Sequence, residues 1–354
     1  MALSSSRLGS RLGSLDRAIH EQHRCLLPPL TQYTRKQDVL SLLRGPLESK
    51  TGGSLHTFGS CENGLWTRGS DVDGCLVVSE CDSRAFWLSK LKVASSVIRR
   101  TGVVERSSLV GSVQMVQSAR VPVAKVFDKE GVNVLDLSIN NTAALDNSAL
   151  VSLFGRLDTR FRVLARVVKW WASARGINNR AQGTLSTYTL VLMVAWRMQM
   201  KGVLPEWQDM QKSDAKTSTD WGGKYLFEND SEIVNKRWLE RTRENSLDRS
   251  ISCAELFVDF FDFFGSVQSA DGVEICSSAP FVKSEDGTLV VRCPLTEKNV
   301  NPMTRSSWVG LWKEFSRARE ILNSGGDLSK IVDIVPEESA PSLKWSLPPR
   351  PQRL

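Results

Sequence analysis

Histidine is scarce in this 354-residue chain, and its cysteines are not paired in sequence. The three histidines stand at positions 20, 23 and 56, and the seven cysteines include no Cys-X-X-Cys pair. Structural zinc sites draw their ligands from local clusters of these two residue types, so we expect no structural zinc. An odd number of cysteines without a pairing pattern favours free thiols and a reducing compartment.

A long apolar run is also absent. The longest uncharged apolar stretch, TYTLVLMVAW at 187–196, is too short to cross a bilayer and predicts a buried helix, so we expect no membrane association. The chain is 41% hydrophobic and 24% charged, which is the composition of a soluble globular protein. Its formal net charge of +7 favours polyanionic partners such as nucleotides or RNA, although a generally basic soluble protein would show the same excess.

Acidic residues are missing from the first fifteen positions, MALSSSRLGSRLGSL. This stretch has two arginines and five serines, and Leu8, Leu12 and Leu15 fall on one helical face. Such a composition is typical of a mitochondrial presequence. An amphipathic helix that packs on the C-terminal domain would have the same pattern, so both alternatives stay open. The first predicts a mitochondrial protein, and the second is compatible with a cytoplasmic one.

The chain changes character along its length. Residues 36–145 alternate strand candidates with a helix and predict a first domain. Helical patterns dominate residues 146–330, with a polar insertion at about 204–250 that could bridge the domains or dock a partner. An N-terminal segment, 1–35, and a proline-rich tail, 331–354, flank these two regions.

Local patterns in the first region predict individual elements. Runs rich in Val, Ile and Leu, bounded by Gly, Asp or Asn, predict strands at 73–78, 120–127 and 132–139. Apolar residues near helical spacing predict a helix at 84–100. These elements give a strand-rich domain with at least one covering helix.

Capping residues mark the helices of the second region. Asp158 is a suitable N-cap for a helix that ends before Gly176, and Ser186 begins the helix that holds the apolar run. Ser252 and Glu255 form a predicted capping box. The phenylalanines of the helix that follows, LFVDFFDFFG, are spaced as a core stripe.

Three aspartates interrupt the predicted strands. Asp71 and Asp73 are two residues apart, so on a strand they point to the same face, roughly 7 Å apart. Asp136 lies in the middle of the apolar stretch VNVLDLSI. Buried carboxylates need partners, and oxygen-rich clusters suit hard cations such as Mg²⁺ or Mn²⁺. The three acids therefore predict a two-metal site.

A Gly-Ser pair, Gly59 and Ser60, precedes the first two aspartates. Glycine lets backbone amides approach a phosphate, and the serine hydroxyl adds a donor. Each motif alone is common, but here they are ordered: apolar-Gly-Ser, then Asp-Val-Asp-Gly, then a strand aspartate after Arg-Val-Pro-Val. This arrangement resembles the DNA polymerase β-like nucleotidyltransferase superfamily, and within it the noncanonical poly(A) polymerases and terminal uridylyltransferases.

The resemblance covers residues 55–325, apart from the insertion, and implies the fold. In its compactness, its insertion and its N-terminal segment, the chain is most similar to the trypanosomatid mitochondrial uridylyltransferases of editosome-like complexes. It implies an α+β, bidomain polymerase β-like nucleotidyltransferase: a mixed β-sheet with helices, a mainly helical C-terminal nucleotide-recognition domain, and a cleft between them. The stretches that carry it beyond the first motif are LDLSINNTAALDNSALV, RFRVLARVVKWWASARGI, GTLSTYTLVLMV and CPLTEKNVNPMTRSSWVGLWKEFSRAREIL.

The resemblance assigns the three acids to a two-metal transfer. Asp71 and Asp73 would hold both Mg²⁺ or Mn²⁺ ions. Asp136 would bind the catalytic metal and help activate an RNA 3′-hydroxyl for in-line attack on the α-phosphate, with pyrophosphate leaving.

The resemblance also implies nucleotide contacts. Ser60 and Lys169 would bind the β- and γ-phosphates, and Tyr188 would stack on the base. Ser173 stands where several relatives carry a second phosphate-binding lysine, so triphosphate binding should weaken or move to the neighbouring arginines at 162 and 166. The other expected contacts are Gly59, Asn147, Ser148, Ser186 and Thr187.

Base recognition is where the sequence departs from the resemblance. Cys293-Pro294 replaces the usual Asp-Pro, so the acid that contacts the uracil edge is displaced or absent. Glu297 is the nearest substitute. The chain has no histidine beyond position 56, so the base-contacting histidine of some relatives is missing as well.

The resemblance as a whole implies a template-independent RNA 3′-terminal uridylyltransferase that uses UTP, with a role in mitochondrial RNA processing or editing and a protein complex as partner. An ATP-using poly(A) polymerase and a catalytically inactive binding subunit are the alternatives. A small-molecule nucleotidyltransferase fits the first motif but not the long helical region. Few RNA contacts are expected, with Arg120 and Lys125 as candidates.

Overall fold

The chain forms two compact units in the computed structural model. The sheet unit is Leu26–Arg156, and the helical unit comprises the described residues up to Cys25 and from Leu157 onward. The boundary therefore follows Arg156, whereas the change in sequence pattern places it at residue 145. The predicted insertion and the proline-rich tail lie almost entirely outside the described residues. The residues that the structure describes are 2–78, 83–205, 250–276 and 279–333.

A mixed five-stranded sheet forms the centre of the sheet unit. Its strands are β1 (Ser54–Phe58), β2 (Val72–Val77), β3 (Ser112–Val116), β4 (Val123–Phe127) and β5 (Asn133–Ile139). They lie in the order β1-β2-β5-β4-β3. Strands β2 and β5 are parallel, and the other neighbours are antiparallel. The three predicted strands correspond to β2, β4 and β5, while β1 and β3 are short, half-polar strands that the patterns do not predict.

Three helices accompany this sheet: α2 (Leu30–Thr51), α3 (Arg84–Val104) and α4 (Thr142–Leu157). Leu43 of α2 and Leu91 of α3 are fully buried in the core that α2 and α3 form with the sheet. Each buried leucine contributes about 2 kcal/mol. The helix predicted at 84–100 is α3, whereas α2 escapes prediction because Pro46 interrupts its helical pattern.

The helical unit combines seven helices with a small sheet among the described residues. Strands β6 (Val273–Cys276), β7 (Ala279–Lys283) and β8 (Leu289–Val291) lie in the order β7-β6-β8. The patterns after residue 146 do not predict this sheet. The helices are α1 (Ala2–Leu26), α5 (Thr159–Ala174), α6 (Thr187–Met200), α7 (Cys253–Phe264), α8 (Val267–Ala270), α9 (Arg305–Asn323) and α10 (Leu328–Val332).

Caps and aromatic packing confirm the predicted helices of this unit. Asp158 and Ser186 are the N-caps of α5 and α6, and Ser252 forms a capping box with Glu255 at the start of α7. The phenylalanine stripe of α7 is buried, and Trp171 packs edge-on against one of its rings with centroids 4.8 Å apart. Burial of these aromatic rings holds α5, α7 and α9 together.

The N-terminal segment is helical and packs on α7. Ile19 of α1 is fully buried, Leu15 is nearly so, and Asp16 Oδ1 accepts a hydrogen bond of 3.0 Å from the Ala254 amide. The packing alternative therefore describes the contacts of α1, and a targeting role stays a prediction. Among the described helices, none has the length and hydropathy that crossing a membrane requires.

Candidate active site

Strand register brings the predicted acids of the sheet unit together. Asp73 of β2 and Asp136 of β5 are direct partners in the parallel pair. Asp71 immediately precedes β2, on the same alternation as Asp73. The sequence predicts all three acids, and only the pairing of β2 with β5 decides that two of them are neighbours.

Asn133 links the acids and was not predicted from the sequence. Its Nδ2 donates to Asp71 Oδ2 at 2.8 Å and to Asp136 Oδ1 at 2.9 Å. Within the part of the chain that is described, its Oδ1 is buried without a hydrogen-bond partner. An asparagine at the start of a strand carries no distinctive local signal, because its importance comes from the carboxylates that the fold places beside it.

Lys125 contributes a cation to this cluster. It lies opposite Asp136 in the β4–β5 pair, and its ammonium contacts Asp136 Oδ2 at 2.5 Å. The sequence offers Lys125 as an RNA contact, but its ammonium is engaged with the acid in this structure. Arg120, the other candidate, is exposed, and its carbonyl accepts a hydrogen bond from Arg84.

The donor chemistry of the cluster fits a divalent cation. Three carboxylates form an oxygen set of the type that Mg²⁺ and Mn²⁺ prefer. Two of these carboxylates, Asp71 and Asp136, already accept hydrogen bonds from N–H donors, so positive charge is favoured beside them. Among the described residues, the three acids do not all bring their oxygens within 4.8 Å of one another, so cation binding would draw them closer.

The Gly-Ser turn lies directly against the second aspartate. Gly59 opens a short 3-10 turn, Gly59–Cys61, with φ +69°, and a Cβ at this position would lie 2.9 Å from Asp73 Cγ. Its amide donates to Ser148 Oγ at 2.7 Å. Glycine is therefore required here both by the backbone conformation and by the carboxylate that packs against it. The contact also brings the predicted residues Gly59 and Ser148 together, with Ser60 and Asn147 as their chain neighbours.

Several predicted nucleotide contacts of the helical unit lie at or near the start of α6. Thr187 Oγ1 and Asn178 Nδ2 lie 3.3 Å apart, and the same amide nitrogen lies 3.3 Å from Ser173 Oγ. Tyr188 is half-buried, and its hydroxyl lies 3.4 Å from Cys293 Sγ. Burial, followed by the neighbouring Cys293 thiol, holds the pKa of Tyr188 well above its ordinary value, so the phenol stays neutral.

Asn301 organises this region and was not predicted. It is fully buried, and its Oδ1 accepts from the Ser186 amide at 2.9 Å and from Thr189 Oγ1 at 3.1 Å. Its Nδ2 donates to the Thr184 carbonyl at 3.2 Å. The asparagine thereby joins the N-cap of α6 to the segment that follows Cys293.

The residues of α5 that the resemblance implies for phosphate binding differ in exposure. Lys169 is half-buried and Ser173 is exposed. Arg166 is instead buried, and its charge helps to lower the pKa of His23. The Nε of Arg162 is buried as well. The transfer of triphosphate binding to these two arginines stays a prediction, and the burial of Arg166 leaves its side chain little exposure to solvent.

Glu297 lies on a tight turn after Cys293. Its amide donates to the Cys293 carbonyl at 2.8 Å, its φ is +57°, and its side chain is exposed. Its own carbonyl accepts from Arg292. A role of the Glu297 carboxylate in base recognition stays a prediction.

Sequence comparisons identify similar proteins. Residues 15–156 match the family model for the central palm domain of mitochondrial-like poly(A) RNA polymerase. The chain is 27% identical over 329 residues to poly(A) RNA polymerase cid11 of Schizosaccharomyces pombe, covering 88% of this chain and 63% of that protein. It is 28% identical over 292 residues to poly(A) RNA polymerase GLD2 of Homo sapiens, covering 75% and 57%. The chain thus spans less than two thirds of the length of these relatives.

Solved structures show the same fold. The GLD-2/RNP-8 complex matches with a TM-score of 0.71 and 22% identity, covering 91% of this chain and 98% of that one. Cid1, an RNA terminal uridylyl transferase, matches with a TM-score of 0.69 and 21% identity, covering 92% and 99%. The chain shares the polymerase β-like nucleotidyltransferase fold of these structures.

Proposed function

We propose that this chain transfers a nucleotide from a ribonucleoside triphosphate to the 3′-hydroxyl of RNA without a template and releases pyrophosphate. The observation that carries the proposal is the acid cluster of the sheet unit, in which β2–β5 register sets Asp73 beside Asp136 and Asn133 ties Asp136 to Asp71. Transfer of a nucleotidyl group requires little covalent chemistry from a protein and depends on positioning and charge stabilisation.

The three acids would bind two divalent cations, Mg²⁺ or Mn²⁺, which when bound supply positive charge to the attacking and leaving oxygens. Asn133 fixes the orientation of Asp71 and Asp136 by donating to one oxygen of each. Lys125 contacts the other oxygen of Asp136. These contacts hold the carboxylates ready, so that little reorganisation is needed when the substrate arrives.

Each unit offers a candidate phosphate ligand. In the sheet unit, the Gly59–Cys61 turn, held to α4 through Ser148, presents Ser60 beside the acids. In the helical unit, Lys169 of α5 supplies a cation on a face that is open to solvent only in part. Each group provides donors for an anionic ligand, and the glycine allows close approach of the backbone.

We propose ATP as the preferred donor, with UTP as the second candidate. Cys293 is buried where the resemblance implies an aspartate, and its sulfur lies 3.4 Å from Tyr188 OH. The nearest acid, Glu297, is exposed on a turn. The similar proteins of yeast and human are named as poly(A) RNA polymerases. The proposal of UTP as second candidate rests on the resemblance to uridylyltransferases and on the fold shared with Cid1.

A role in mitochondrial RNA processing and a protein partner are also proposals. GLD-2 was solved in complex with RNP-8, which supports a search for a partner of this chain. Fusion of residues 1–30 to a fluorescent protein tests the location: mitochondrial import supports the presequence alternative, and diffuse fluorescence removes it.

An extension assay tests the proposed activity. The protein is incubated with 5′-labelled RNA, Mg²⁺ or Mn²⁺, and each ribonucleoside triphosphate separately. Extension with ATP is expected, and extension with UTP alone would replace ATP by UTP in the proposal. If no triphosphate extends the RNA, and the Asp136→Asn protein still binds RNA like the parent, the chain is a binding subunit instead.

A further inference from the structure

Three metal-ligating side chains meet at the start of α7, apart from the residues assigned to nucleotidyl transfer. Asp16 and His20 lie one turn apart on α1, and Cys253 is the first residue of α7. A carboxylate oxygen, an imidazole nitrogen and the thiol sulfur all lie within 4.8 Å of one another. Cys253 is far from the other two residues in sequence, so the packing of α1 on α7 brings it to them.

We propose that Asp16, His20 and Cys253 bind a divalent cation of borderline softness, of which Zn²⁺ is the type. Zinc accepts sulfur, nitrogen and oxygen ligands in one tetrahedral site, whereas Mg²⁺ and Ca²⁺ take oxygen ligands. Three protein ligands leave the fourth position to water. The mixed donor set therefore selects zinc over the cations of the acid cluster in the sheet unit.

The spacing of the ligands suits a tetrahedral ion. His20 Nε2 and Asp16 Oδ2 lie 3.7 Å apart. Two ligands at about 2.0–2.1 Å from a tetrahedral zinc are separated by about 3.4 Å. These two side chains would therefore need to move only slightly. Both side chains are partly exposed, which gives the ion a path of entry, while Cys253 is buried.

The carboxylate is already held in position by the backbone. Asp16 Oδ1 accepts from the Ala254 amide at 3.0 Å, and Oδ2 faces His20. Fixing a ligand through its second oxygen lowers the entropy lost on metal binding, as hydrogen bonds to metal ligands do in established sites. Asp16 Oδ1 thus accepts a hydrogen bond from the first turn of α7, and Asp16 Oδ2 is available to a cation.

The thiol must lose its proton when the metal binds. Burial, and to a smaller extent the Asp16 charge, raises the pKa of Cys253 to about 12, against a lowering effect of Arg160. The thiol is therefore protonated at neutral pH in the absence of metal. Binding forms a sulfur–metal bond, and the proton passes to solvent. The absence of paired cysteines predicts no structural zinc, but it excludes only sites whose ligands are close in sequence.

Cobalt(II) is the probe for the experiment, because a tetrahedral Co²⁺ site with a thiolate ligand absorbs visible light and shows a sulfur-to-cobalt charge-transfer band in the near ultraviolet. The full chain is titrated with Co²⁺ in millimolar Mg²⁺, which occupies oxygen sites. We expect one equivalent of Co²⁺ to produce both signals and Zn²⁺ to displace it. The readout needs neither RNA nor a nucleotide, so it stands or fails independently of the proposed function.

Three substitutions identify the ligands. Cys253→Ser is expected to abolish the charge-transfer band. His20→Gln and Asp16→Asn are each expected to weaken Co²⁺ affinity at least about tenfold. Asp16→Asn retains a side-chain oxygen for the Ala254 amide, so it separates the role in metal binding from the role in capping. His20 is exposed enough that its substitution is expected to leave the fold intact, which circular dichroism checks.

Cys25→Ser is the matched control, because Cys25 is an exposed free cysteine on the same helix. This variant is expected to keep the full band. Zinc should raise the thermal unfolding midpoint of the parent and of Cys25→Ser, but not that of His20→Gln. The proposal is overturned if the parent gives no charge-transfer band, or if the band and affinity survive in Cys253→Ser and His20→Gln.

Discussion

In the sheet unit, the candidate catalytic groups are charged and strand register places them. In the helical unit, most candidate nucleotide contacts are neutral, and helix caps and buried asparagine contacts place them. Asp73 and Asp136 meet because two strands pair in parallel, and a shift by one residue would turn either side chain to the opposite face. The start of α6 depends instead on Asn301, which joins it to a loop.

This contrast separates two kinds of requirement. The acids must keep their charge and a fixed spacing. The strand register of a sheet with buried faces specifies that spacing strongly. Base recognition needs particular hydrogen-bonding groups on a surface that can differ between relatives without changing the fold. Cys293 in the position of an expected acid is one such difference. The comparison predicts that substitutions in the sheet unit act on chemistry and that substitutions in the helical unit act on binding and stability.

The largest effect is expected for Asp136→Asn. The change removes a carboxylate charge but keeps its size, so the fold should persist while nucleotidyl transfer falls at least about a thousandfold. Single-turnover RNA extension measures the loss. Glu130→Gln, at an exposed position before β5, is the control and should extend RNA at the parental rate. Equal rates of RNA extension for Asp136→Asn and Glu130→Gln would contradict the assignment of catalysis to the sheet unit.

Gly59→Ala tests the contact between the Gly-Ser turn and Asp73. The new Cβ would displace the Asp73 carboxylate, and transfer should fall by about a hundredfold. Gly131→Ala is the matched control, since Gly131 also has a positive φ, +81°, but has nothing within 4 Å of an added Cβ. Both variants should lose about 1 kcal/mol of stability from backbone strain. Equal activity of the two variants would show that the contact does not matter.

Asn301→Ala is expected to have the largest effect on stability in the helical unit. It removes three hydrogen bonds from a fully buried side chain and leaves the Ser186 amide without its acceptor. The free energy of unfolding should fall by about 2–3 kcal/mol, and the KM for the nucleotide should rise. Urea denaturation and steady-state kinetics measure these changes. Asn323→Ala, which removes one exposed hydrogen bond to Asp262, should lower the free energy of unfolding by less than about 1 kcal/mol and leave the KM unchanged.

A smaller effect is expected for Asn133→Ala. The carboxylates of Asp71 and Asp136 would lose a shared donor but keep their charges. We expect kcat to fall about tenfold with an unchanged KM for the nucleotide, and half-maximal activity to require a different Mg²⁺ concentration. The shift in Mg²⁺ dependence distinguishes a positioning role from a general loss of folded protein. Gln114→Ala, at an exposed position of β3, should leave all three quantities unchanged.

The smallest effect concerns the acid stability of the helical unit. Burial alone would raise the pKa of Glu314, but the hydrogen bond and charge of Arg175 outweigh it, so the pKa lies below its ordinary value of 4.5. A carboxyl group with a depressed folded-state pKa stabilises above its unfolded-state pKa, and the stabilisation is lost as the pH falls through the folded-state value.

Glu314→Gln should therefore be less stable than the parent at pH 7, and the difference should shrink as the pH falls below about 4.5. Urea denaturation at pH 7, 5 and 3 measures it. Glu320→Gln, exposed on the same helix, is the control. A difference that grows as the pH falls would contradict the assigned direction of the shift.

Helices and strands that depend on contacts between residues close in sequence could be predicted from the sequence. Asp158, Ser186 and the Ser252–Glu255 pair cap helices where the sequence places them, because a cap involves residues within one turn. The strands around the acids follow from β-branched runs. The helix containing Pro46 could not be predicted, because burial of Leu43 and Leu47 outweighs a local pattern that disfavours a helix.

The sequence by itself determined the three acids, the Gly-Ser turn, the helix caps and the apolar faces, since each depends on residue type and spacing along the chain. Tertiary structure decided which of these groups meet. Asn133 and Lys125 contact Asp136 only because strands pair in one register, and Asp16 reaches Cys253 only because α1 packs on α7. The physical reason is that local patterns encode the preference of a segment for an element, whereas contacts between distant residues depend on which surfaces are buried together.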